Sequence, residues 1–217
     1  MPQGWHLKTG ELIAALAQDR LSTPSPARLI ARTLPLAVLA AAVLLLATAG
    51  PRHDFAQVLG APRFLFKFLV TLSLAVPAVV LLPRVATPLP RTGGWMRALW
   101  LAPAVLLAGV LLELAALPGA RWVPSAVGHN ALWCLAMVPM LAAAPLAASL
   151  YCLRQAAPAD PARAGMVAGL ASGALAATVY ALHCTDDSPL FVALWYTIGV
   201  LFTGAVGAWL ARRVARW

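Results

Sequence analysis

Residues 164–183, AGMVAGLASGALAATVYALH, hold no Asp, Glu, Lys or Arg. About 20 such residues as helix cross a hydrocarbon core of roughly 30 Å, so this stretch predicts a membrane-spanning helix. Gly165, Gly169 and Gly173 recur every fourth residue. That spacing clears one face for close approach of another helix and predicts a central place in a bundle. The run ends in His183-Cys184-Thr185-Asp186-Asp187-Ser188-Pro189, a knot of side chains able to ligate, titrate or oxidise, and a further apolar run follows.

Working outward, five more apolar runs appear, giving spans at about 34–50, 64–83, 96–117, 131–153, 164–183 and 190–210. Of 217 residues 62% are hydrophobic and 11% charged, and mean hydropathy is +0.82. A soluble domain of this size could not hide that much apolar surface. The expected fold is all-α: a polytopic membrane protein with a six-transmembrane-helix bundle (residues 32–217) and a short cytoplasmic N-terminal helical segment (residues 1–31). Pro77, Pro103, Pro139 and Pro145 fall inside runs and predict kinks rather than ends.

In the head, Thr9 is a candidate N-cap, Glu11 suits a first turn, and Leu12, Ile13 and Leu16 form a short apolar stripe. The Ser-Thr-Pro-Ser-Pro segment at 22–26 ends it. Pattern alone favours an interfacial anchor over a docking helix for a soluble partner. Glu11 and Asp19 interrupt this stretch, so no signal peptide is expected.

The net charge of +9 is spread between apolar runs, which marks topology rather than a phosphate-binding face, so no direct nucleic-acid partner is expected. Lys8, Arg20, Arg28, Arg32, Arg84, Arg91, Arg97, Arg154, Arg163, Arg212, Arg213 and Arg216 lie on one side. Arg52, Arg63, Lys67 and Arg121 lie on the other. The positive-inside rule puts both termini in the cytoplasm. Asp54, Glu113, Asp186, Asp187, His53, His129 and His183 then fall at or beyond the outer face.

Cys134 and Cys184 share the outer depth, where they could form a disulfide or, with His183, share a soft metal ion. Asp187 adds an oxygen donor. The simpler alternative is that each thiol is a small buried hydrophobe. Cys152 lies near the inner side, too far to pair with either. Glu113 is an ionisable group within a span and so a functional candidate, and a Lys67–Glu113 ion pair explains it equally well. His53 and His129 read as solvated. Asp186 reads as a cap for the sixth span. Enzyme signatures such as GxSxG, HExxH or a Walker loop are missing, so no catalytic residues and no resident cofactor are expected.

Several segments together resemble one family. They are Thr9-x-Glu11-Leu12-Ile13-x-x-Leu16-Ala17-x-Asp19, Trp133-Cys134-Leu135, Leu182-His183-Cys184-x-x-Asp187-Ser188-Pro189-x-Phe191, Trp195-Tyr196 and the closing Arg216-Trp217. The chain resembles the NrsF family, bacterial inner-membrane anti-sigma factors that negatively regulate sigma F. The resemblance implies a multi-pass inner-membrane protein holding an extracytoplasmic-function sigma factor. Leu12, Ile13 and Leu16 would be the sigma-contacting stripe, reversing the anchor reading. It also implies an outer cysteine pair, Cys134 and Cys184, answering oxidants or a transient heavy-metal ion. The alternative is a small-molecule or metal-ion transporter using the outer Glu, His and Asp groups. Ionisable groups crowding the outer third favour a sensor over a conduit.

Overall fold

The computed structural model describes residues 9–18, 25–90 and 92–215, and among them there is helix but no strand. The head forms α1 (Thr9–Gln18). Six helices long and apolar enough to cross a membrane follow: α2 (Pro26–Thr48), α3 (Pro62–Val85), α4 (Trp95–Ala116), α5 (Ala131–Gln155), α6 (Pro161–Tyr180) and α7 (Pro189–Val214). This is the expected all-α six-helix bundle.

The first span starts earlier than its apolar run. Pro26 occupies the first turn of α2, where its fixed φ is preorganised and its missing N–H costs nothing. Ile30 and Leu34 are already buried, so the 31/32 boundary between head and bundle falls inside a continuous helix. Pro77, Pro139 and Pro145 do lie within helices. Pro103 differs: α4 is interrupted at Leu99 and Trp100 and resumes at Leu101, which leaves Pro103 in a first turn rather than at a kink.

The glycine series acts as its spacing predicts. A Cβ on Gly165 would sit 2.3 Å from the Gly207 carbonyl oxygen, and one on Gly169 would sit 2.3 Å from the Thr203 carbonyl oxygen. Backbone therefore meets backbone between α6 and α7, and α6 is the most enclosed of the spans, packed against α3, α5 and α7. Large apolar side chains such as Leu39, Leu44, Leu107, Leu112 and Phe202 face outward from the bundle. Such a face is stable against lipid and costly in water.

The core has two halves. One gathers Leu45, Val70, Cys134, Val138, Tyr180, Cys184, Phe191 and Tyr196 at the end bearing the His183–Pro189 turn, hereafter the cluster end. The other gathers Ile30, Leu81, Leu82, Leu146, Cys152, Leu153 and Ala211 toward the termini. Cys152 is thus separated from the other two thiols, as its position in the chain predicts. Near the cluster end α7 contains one π-helical turn, Val192–Tyr196, a wide turn that re-aims its side chains.

Candidate functional site

The cluster end is organised by residues 182–190, which every neighbouring segment grips. Gly50, with φ of +72°, follows the end of α2 and turns the chain out of the helix just before Arg52. The Arg52 backbone N–H donates to the Leu182 carbonyl at 3.2 Å. His183 Nδ1 lies 2.9 Å from the Gly50 carbonyl, which can only accept, so that nitrogen carries the proton.

Two buried cations converge on Asp187. Lys67 near the start of α3 is wholly enclosed. Its Nζ lies 2.6 Å from Asp187 Oδ1 and donates to the Cys184 carbonyl at 2.8 Å. Arg52 donates through Nη1 to both Asp187 carboxylate oxygens at 2.9 Å and to the Cys184 carbonyl at 3.3 Å. Its Nε and Nη2 fork onto Asp54 at 2.6 and 2.8 Å. Arg52, Lys67, Asp54 and Asp187 therefore make a neutral four-charge network, the condition under which burial of charge is tolerable. Hydrogen bonding from Arg52 holds the Asp54 carboxyl at a pKa of about 2. The same Asp54 bond, reinforced by Asp187, pushes the guanidinium further up.

Asp186 points the other way. Its Oδ2 accepts from the backbone N–H of His129 at 3.0 Å and of Asn130 at 2.8 Å, and from Asn130 Nδ2 at 2.9 Å. Asn130 Nδ2 also donates to Thr185 Oγ1 at 3.0 Å. Gly128, with φ of +61°, completes this cradle: a Cβ there would meet the Phe191 ring at 2.5 Å and Asp186 Cγ at 2.8 Å. The expectation that Asp186 caps the sixth span is corrected. It binds the residues leading into α5, and Ser188 caps α7, its Oγ accepting from the Leu190 N–H at 3.2 Å.

The expected Lys67–Glu113 pair is not formed. Asp187 is closer to Lys67 because the 184–189 turn folds back over α3. Glu113, buried near the end of α4, instead accepts from Ser188 Oγ at 2.8 Å and the Leu190 N–H at 3.1 Å. Arg63 approaches its other oxygen at 3.2 Å as an ion pair without a directed hydrogen bond. His53 and His129 are exposed, as expected.

Against this polar latch lie the thiols. Cys134, one turn into α5, and Cys184 are both free and fully buried in one apolar cluster with Tyr180 and Tyr196. Cys134 is within electrostatic reach of Cys184 and Lys67. Burial pushes the Cys184 thiol up, opposed by the Lys67 charge. The Tyr180 and Tyr196 hydroxyls are buried with no regular hydrogen-bond partner, and the polar group beside the Tyr196 hydroxyl is the Cys184 thiol. Among the described residues no group of three His, Cys, Asp or Glu is placed to hold a metal ion. His183, expected beside Cys134 and Cys184 as a third ligand, turns its Nδ1 to Gly50.

Of the docking stripe, Ile13 is exposed at 63%. The Leu12 and Leu16 side chains lie outside the described residues. Arg52, Asn130 and Tyr180 were not anticipated at the site, and Ser188 and Tyr196, in segments already singled out, gain their roles only from the fold. Arg52 had a signal, being an arginine on the side where the charge bias disfavours it, two residues from Asp54.

The site is thus a set of charged groups that bind one another around two shielded thiols, at one end of six helices long and apolar enough to cross a membrane. The chain belongs to the NrsF family, negative regulators of sigma F, whose family model matches residues 15–217. It is similar to the anti-sigma-F factor NrsF of Caulobacter vibrioides (strain NA1000 / CB15N), at 33% identity over 218 residues covering 97% of this chain and 100% of that protein. It is likewise similar to the probable anti-sigma-F factor NrsF of Azospira oryzae (strain ATCC BAA-33 / DSM 13638 / PS), at 32% identity over 219 residues covering 97% and 100%. The role of such a chain is regulatory and non-enzymatic. No solved structure matches it.

Proposed function

We propose that the protein is an inner-membrane anti-sigma factor with both termini in the cytoplasm. It sequesters an extracytoplasmic-function sigma factor through the head stripe Leu12, Ile13 and Leu16, and releases it on a signal read by Cys134 and Cys184. The observation that carries this reading is the convergence of Cys134, from the first turn of α5, and Cys184, from the turn between α6 and α7, into one buried cluster. Oxidation would break two S–H bonds and form one S–S bond, with two electrons and two protons passing to a two-electron oxidant. A heavy-metal ion bridging the thiols would draw the same segments together. Moving a switch from mostly bound to mostly free takes about 5 kcal/mol. A disulfide or thiolate–metal bond acts on that scale, whereas an exposed ion pair does not. Glu113, Asp186 and Asp187 are already engaged by protein groups, which favours this reading over a transporter.

The test is purification from native membranes with identification of the soluble protein retained. A sigma factor is expected, lost when residues 1–20 are deleted and released on oxidant or metal challenge. Normal release from Cys134→Ser and Cys184→Ser variants would refute the thiol switch. A partner retained without the head would refute the docking stripe.

A further inference from the structure

The two thiol-bearing segments are indexed to each other by one carboxylate. Cys134 donates its backbone N–H to the Asn130 carbonyl at 2.8 Å, so its place in the first turn of α5 follows from where Asn130 sits. Asn130 in turn donates twice to Asp186 Oδ2, through its backbone and its side chain. On the other side, Cys184 is two residues from Asp186, and its carbonyl is pinned by Lys67 and Arg52. The chain of connection therefore runs Cys134, Asn130, Asp186, Cys184. The Asp186 side chain is 13% exposed, so water competes weakly for its oxygens. The positive φ of Gly128 and the absence of a Cβ there let the chain wrap the carboxylate closely.

We propose that Asp186 is a positioning residue for the Cys134–Cys184 pair: its carboxylate holds the start of α5 against the 184–189 turn at the separation the two sulfurs need to react together. This rests on the thiol-switch reading above. Reaction between two held groups is steep in their geometry, because misplacement by about 1 Å can cost on the order of a hundredfold in rate. Asp186 touches neither sulfur with its carboxylate. It acts through Asn130.

The experiment follows formation of the Cys134–Cys184 disulfide in native membranes, in a Cys152→Ser background. Diamide serves as the oxidant and is reduced to the hydrazine as the S–S bond forms. Asp186→Ala removes the acceptor, and Asp186→Asn keeps one acceptor oxygen without the charge. The expected result is coupling slowed roughly tenfold or more in Asp186→Ala and largely restored in Asp186→Asn. A merely structural role predicts the opposite sign, since a loosened bundle exposes the thiols and couples them faster. Asp186→Ala coupling at or above the parent rate overturns the assignment, as does an Asp186→Asn variant as slow as the alanine. If the parent protein itself forms no disulfide, the redox form of the thiol-switch reading fails, and this inference falls with it.

Discussion

The Lys67 ammonium lies 2.6 Å from the Asp187 carboxylate, and the lysine side chain is wholly enclosed while the aspartate keeps a narrow opening to the surface. Removing either charge leaves its partner with a net imbalance in a network that is otherwise neutral. Lys67→Met or Asp187→Leu alone should each lose about 3–5 kcal/mol of stability. The double variant returns the network to Arg52 with Asp54 and should lose less than either single change. Thermal or denaturant unfolding in detergent of the four proteins of this cycle measures the coupling.

Asp54 makes stability depend on pH in one direction. Its folded pKa of about 2 is below the ordinary 3.8, so the folded state favours the ionised form. Its contribution is fully present above about pH 4 and is lost as pH falls through 2. Asp54→Asn should melt lower than the parent at pH 5, with the difference shrinking toward pH 2. A difference that grew with acidification would contradict the Arg52–Asp54 fork.

Gly169 faces the α7 backbone directly, with Gly204 Cα 2.6 Å from a built Cβ. Flexible side-chain ends can step aside for a methyl group, but helix backbones cannot. Gly169→Ala should cost about 1–3 kcal/mol, and Gly169→Leu more. The same change at Gly10, where nothing lies within 4 Å, should be close to neutral. Unfolding midpoints in detergent separate the two.

Cys152 serves as the control thiol. It is buried in the other half of the core, with Sγ 3.5 Å from the Pro26 carbonyl. Serine preserves that contact, so Cys152→Ser should change stability by less than about 1 kcal/mol. It should leave the proposed oxidant response intact, read as partner release beside the Cys134→Ser and Cys184→Ser variants.

The fold was legible because a bilayer leaves few solutions for the backbone, and apolar runs of about 20 residues become helices. The glycine face of α6 was legible for the same reason, since small residues at every fourth position have one geometric use. Side-chain pairing was less so. Lys67 and Glu113 share a depth, and depth alone made them partners. The actual choice depended on how the 184–189 turn folds over α3, a matter of three-dimensional path that spacing along the chain does not carry. Asp186 is a similar case: nearness in sequence points to α7, while Gly128, which has no side chain to hold the carboxylate off, lets the residues leading into α5 close on it. Cys134 and Cys184 likewise share a depth, and here the path of the chain does bring them into one buried cluster.

The wide turn at Val192–Tyr196 holds one residue more than an α-turn would. Each residue advances an α-helix by about 100°, so everything beyond Tyr196 is rotated by about that much relative to an uninterrupted helix. Gly204 and Gly207 meet Gly165 and Gly169 only at this phase. The long seam between α6 and α7 thus has its angular setting fixed by five residues, one of which is Tyr196 beside Cys184. Annealing the extra residue would turn the glycines away and bring bulkier neighbours into the seam. The seam and the wide turn therefore stand or fall as one mechanical unit running from the thiols toward Arg212 and Arg213.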